Sequence, residues 1–131
     1  MSILYAKETK ETVEVVGARL EEAVKSHKFG VITVIDLKAK MAEKGVPLDR
    51  ACKIYEVCNP AQAKRVLDKN MSVATALPCR IAVYEEKNYV KVATMLPTQM
   101  LALFSVPELA PVALEVEKEI KAMIDEATQP N

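Results

Sequence analysis

The chain has 131 residues, 50% of them apolar and 27% charged, with 18 Lys and Arg set against 18 Asp and Glu. That length and composition predict one globular domain, residues 1–131, large enough to bury a real core. Zero formal net charge lacks the surplus that drives non-specific nucleic-acid binding, and with no Trp there is little material for stacking single strands.

The opening residues Met1 to Glu8 show no basic region followed by an apolar stretch. The longest apolar runs are also too short to cross a bilayer. A cytoplasmic protein with reduced thiols, no membrane partner and no nucleic-acid partner is the expectation.

Ile3 to Glu8 alternates weakly and predicts a first strand. Thr9 or Thr12 then offers an N-cap to a helix whose apolar face is Val13, Val16, Leu20, Ala23, Val24 and His27, closed by Gly30. Val31 to Asp36 is β-branched almost throughout and predicts a central strand. A short helix over Leu37 to Lys44 follows, ended by Gly45.

The third strand runs from about Ala51 to Val57, and Cys58 stands at its end. Asn59 is a good N-cap and Pro60 suits the first helical position, where no N–H is needed. The helix from Pro60 to about Asn70 packs through Ala63, Val66 and Leu67. Met71 to Ala76 reads as a loop.

Leu77 to Glu85 and Tyr89 to Leu96 form a hairpin, with Pro78 at a strand start or an edge. Pro97 to Phe104 makes a helical turn. The last element is an amphipathic helix marked by Val112, Val116, Ile120, Met123, Ile124 and Ala127. The order is roughly β-α-β-α-β-α-β-β-α. It predicts an α+β two-layer sandwich, with helices on one mixed, mostly antiparallel sheet of about five strands.

Gly30 to Asp36, Cys58-Asn59-Pro60, and Leu77 to Glu85 resemble, in order and spacing, three blocks of the domain of unknown function 302 family. The resemblance covers roughly Val13 to Leu96. It implies a small α+β fold, dimeric, found mostly in bacteria and archaea, and no established activity. Val34 departs from the family's pattern, which often has an acidic residue there, and Cys52 is similar to a feature of only some members.

Three cysteines, Cys52, Cys58 and Cys79, carry the chemistry worth weighing. Cys58 precedes a helix N-terminus, whose partial positive charge favours a thiolate. One reading is a thiol site, with Cys79 or Cys52 as resolving partner; the other is that all three are small buried hydrophobes. No pair has the short spacing of a structural zinc site, so no metal and no cofactor are expected. His27, the one histidine, suits a place near a helix C-terminus better than the role of general base.

Asp36 ends one strand and Glu56 lies in the next, beside Cys58. A pocket lined by Asp36, Glu56, Cys58, Asn59 and Cys79 is therefore the candidate site, with Cys58 the candidate catalytic group. Against it, Asp36 caps the following helix and Glu56 pairs with a nearby lysine. The apolar stretch from Met95 to Phe104 and the zero net charge favour a homodimer. Function reads as a small ligand-binding or thiol/redox-sensing homodimer. The alternatives are an enzyme using Cys58 for sulfur transfer or redox chemistry, and a structural interaction module.

Overall fold

The computed structural model describes residues 2–130. Among them a five-stranded sheet is built from β1 (Leu4–Thr9), β2 (Gly30–Asp36), β3 (Cys52–Cys58), β4 (Cys79–Glu85) and β5 (Val90–Met95). Its spatial order is β1-β5-β4-β3-β2 and every neighbouring pair is antiparallel. The α+β sandwich stands as expected, with a sheet antiparallel throughout.

The helices are α1 (Val13–Ser26), α2 (Leu37–Glu43), α3 (Pro60–Lys69), α4 (Pro97–Ala102) and α5 (Ala110–Thr128), with short 3₁₀ segments at Met71–Ala76 and Pro107–Leu109. Helices α1 and α5 pack on each other and on one face of the sheet. Leu20, Val24, Ile120, Met123 and Ile124 from the helices meet Val57, Ile81, Val83 and Val92 from the strands. Each such side chain contributes roughly 1.5–3 kcal/mol by leaving water, which is what holds the two layers together.

Local signals explain most boundaries. The Thr12 hydroxyl accepts the Val15 N–H at 3.1 Å, so Thr12 is the N-cap of α1. Gly45, with φ +74, supplies the left-handed turn after α2. The end of α1 differs from expectation. Lys28, not Gly30, takes the left-handed conformation, with φ 65, and Gly30 is already the first residue of β2. Reversing the chain at Lys28 lets Phe29 turn inward, where it is buried, and sends its N–H to the Val24 carbonyl at 3.0 Å.

Strand alternation divides the sheet residues between two faces. Tyr55 and Val57 point into the core, while Glu56 lies on the opposite face. Residue Ile32 is the extra residue of an irregularity in β2, since Val31 faces Val57 and Thr33 faces Glu56. Such a bulge re-aims the side chain it carries. That matters because Ile32 reaches the end of the sheet where β3 becomes α3.

Candidate functional site

The junction expected from sequence is present. Strand β3 ends at Cys58, the Asn59 Oδ1 accepts the Gln62 N–H at 3.1 Å, and Pro60 opens α3. Because β3 is held between β2 and β4 while α3 leaves at once, the sheet end and the helix diverge and leave a cleft of about 290 Å³. Val57, Cys58 and Asn59 form its floor, and Gln62, Ala63 and Leu67 of α3 form one wall. Leu77, Pro78 and Cys79, entering β4, form the other wall, with Phe29 and Ile32 closing the side.

No charged side chain lines this cleft among the described residues. Three of the five residues expected together, Cys58, Asn59 and Cys79, do meet there. The other two do not. Asp36 pairs with Lys53 while Gly30 pairs with Cys58, so Asp36 is six residues along β2 and about 20 Å away at 3.3–3.4 Å per residue. Its Oδ1 accepts the Ala39 N–H at 3.0 Å and caps α2. Glu56 points to the far side of the sheet, where its carboxylate meets the Arg80 Nε at 3.1 Å.

The thiols are also sorted by the fold. Cys79 faces Val57 across the β3–β4 ladder, so Cys58 is one residue further along. Cys52 lies at the opposite end of β3, facing Tyr84, about 20 Å from Cys58 and far outside disulfide reach. Burial pushes the Cys58 thiol up from its ordinary value. Burial, and then the neighbouring Cys58, push Cys79 up to about 11, against an opposing pull from Arg80. Desolvation therefore works against the thiolate expected from the nearby helix start. The two sulfur groups are neutral wall atoms near neutral pH.

His27 sits at the C-terminal end of α1 with both ring nitrogens engaged. Its Nδ1 meets Glu119 and its Nε2 meets Glu126 at 2.7 Å, both carboxylates from α5. The Glu126 hydrogen bond raises its pKa, burial opposes this, and Glu119 adds to the rise. A histidine so held ties α1 to α5 and has no free nitrogen for a thiol. Among the described residues, no group of three or more His, Cys, Asp or Glu is placed to hold a metal ion.

Gln62 is the residue that sequence reasoning missed. Its side chain lines the cleft, and its Oε1 is buried without a hydrogen-bond partner, alone in this among buried side-chain N and O atoms of the described residues. The sequence hides it, because Asn59-Pro60-Ala61-Gln62 has the spacing of a capping box. In that motif the third helical residue reaches back to the cap N–H.

An antiparallel α+β sandwich with an uncharged cleft at a strand-to-helix junction is the class that fold and geometry define. Residues 5–127 match the family described as domain of unknown function DUF302, and the chain belongs to that family. It is also similar to the crystal structure of an uncharacterized conserved DUF302 protein from Bacillus stearothermophilus. That likeness has a TM-score of 0.92 and 32% identity, covering 98% of this chain and 100% of that one. No curated protein matches the sequence. No helix among the described residues is long and apolar enough to cross a membrane.

Proposed function

We propose that the chain is a small homodimeric binding domain whose site is the cleft beside Cys58, and whose ligand is a small uncharged molecule. The observation that carries the reading is the cleft itself: about 290 Å³, walled mainly by apolar side chains with two thiols, the amides of Asn59 and Gln62, and no charged group. That is close to the lower end of small-molecule sites, at about 300 Å³. The thiol-enzyme and redox-sensing alternatives have less support. Both need a thiolate, and burial opposes one at Cys58 and Cys79 alike.

The dimer reading draws on the sheet face turned away from α1 and α5. Leu4 pairs with Met95 and Ala6 with Ala93 on that face, beside Ala82 and Ile54. Leu4 and Met95 remain 47% and 45% exposed. An antiparallel sheet normally turns polar residues outward, so an apolar outer face is suited to a second copy. The Glu56–Arg80 pair sits on the same face and gives a two-fold contact both signs of charge.

Ligand-observed NMR with toluene tests the cleft. Saturable binding at one site per chain, lost when Ala63→Trp fills the wall, is the expected result. Binding unaffected by that substitution in a folded variant would sink the site. Sedimentation equilibrium tests the dimer, with Ile54→Lys expected to give monomers.

A further inference from the structure

Gln62 lines the cleft, and its side chain carries the one buried N or O atom among the described residues that has no hydrogen-bond partner. Its backbone N–H is taken by Asn59, but its Oε1 is buried without a partner. Leaving such an acceptor unmatched is destabilising, while the alternative capping arrangement, with Gln62 turned back on Asn59, was available at this spacing. The neighbouring wall atoms offer no substitute. Ala63, Leu67, Leu77 and Phe29 are apolar, and the Asn59 Oδ1 is already an acceptor in the helix cap.

We infer that Gln62 is the recognition group of the cleft, its Oε1 accepting one hydrogen bond from a compact, uncharged, mostly apolar ligand that carries a single hydroxyl or N–H donor. This rests on the binding reading above and specifies the ligand's chemistry. The Oε1 is closed off from solvent as it stands, and the terminal torsion of a glutamine is soft, so rotating the amide brings it to a donor in the cleft at little cost. A charged ligand is excluded by the same wall, because it would be desolvated with no opposite charge to meet it. Size sets a further bound. A dry apolar cavity of about 150 Å³ already takes benzene, so a substituted single ring fits this cleft.

Phenol, toluene and benzaldehyde are near-isosteric probes carrying a donor, neither group, and an acceptor. Their affinities are measured by ligand-observed NMR on the native protein and on Gln62→Leu, which keeps the side-chain bulk. Phenol should bind the native chain roughly 5- to 100-fold tighter than toluene, the range a recovered buried hydrogen bond gives. In Gln62→Leu that preference should vanish while toluene binds as well or better. Equal affinities for phenol and toluene in the native chain would refute the role of Gln62 and leave the binding cleft standing. A preference for benzaldehyde over phenol would refute it too, since the amide nitrogen would then face the cleft. Binding of none of the three would overturn the cleft reading together with the inference.

Discussion

Gly17→Ala should destabilise the protein even though alanine is the better helix former. Gly17 lies on the buried face of α1, against Tyr55 of β3. A Cβ at position 17 would stand 2.2 Å from the Tyr55 Oη and 3.3 Å from its Cζ. Ordinary carbon contacts lie near 3.5–4.0 Å, so the hydroxyl would have to retreat by about 1 Å or more. Tyr55 is 3% exposed, and the packed ring has little room to do so. Replacing glycine in a helix gains about 0.5–1 kcal/mol, and overpacking costs about 1–3 kcal/mol, so the net loss is about 1 kcal/mol or somewhat more. The melting temperature should fall by about 4 °C for a domain of this size.

The geometry adds a sharper consequence. Tyr55→Phe deletes the one atom in severe conflict and leaves only the tight 3.3 Å contact. In that background Gly17→Ala should be neutral or slightly stabilising, giving a coupling of about 1–2 kcal/mol between the two positions. Urea denaturation of the four proteins at pH 7, followed by circular dichroism, measures it. An equal loss from Gly17→Ala in both backgrounds would refute the close approach of α1 to β3.

The remaining predictions follow from the same contacts. The folded pKa of His27 is raised by Glu126 and Glu119, so its stabilising effect is fully present below its ordinary value of about 6.5. That effect is lost as pH rises through the higher folded value. The stability difference between the native chain and His27→Gln, read from urea midpoints, should therefore be larger at pH 5.5 than at pH 9, by about 1 kcal/mol or less because both carboxylates are well exposed. Asn59→Ala removes the α3 cap and should cost about 1 kcal/mol of global stability. Asp36→Ala removes the equivalent cap of α2, a helix with no buried residues, and should speed hydrogen exchange there with little change in the global midpoint. Alkylation of Cys58 by iodoacetamide, followed by mass spectrometry, should rise with pH to a midpoint above the free-thiol value of about 8.5; a midpoint near 7 would favour the thiol enzyme.

Elements governed by local chemistry were legible in the sequence. The Asn59 cap, Pro60 at the first turn, Gly45 after α2 and the β4–β5 hairpin follow from short-range preferences that tertiary packing did not override. The end of α1 was misread because burying Phe29 required a left-handed residue two positions before the glycine. Composition favours glycine there, and packing put Lys28 there instead. Met71–Ala76, expected as a loop, winds into 3₁₀ turns begun by the Asn70 side chain, which accepts the Ser72 N–H at 2.9 Å.

The site was legible only where its residues are close in sequence or registered across one ladder. Cys58, Asn59 and Cys79 meet because β3 and β4 are neighbours. Asp36 was assigned to the same end on the premise that ligand sites gather where strands feed helices. In this antiparallel sheet, however, β2 and β3 run in opposite directions, so their C-terminal ends lie at opposite edges. Gln62 escaped notice because a free acceptor and a helix cap share one spacing, and only the fold distinguishes them.

The cleft between β3, α3 and the start of β4 is where we propose that a small uncharged molecule binds. The most direct measurement is a ¹H–¹⁵N correlation spectrum of the native protein titrated with phenol. Saturable shifts should be concentrated in the amides of Cys58, Gln62, Ala63, Leu67, Leu77 and Cys79, with the outer sheet face at Ile54 and Ala82 unchanged. Shifts confined to that outer face, or none at saturating phenol, would contradict the proposal.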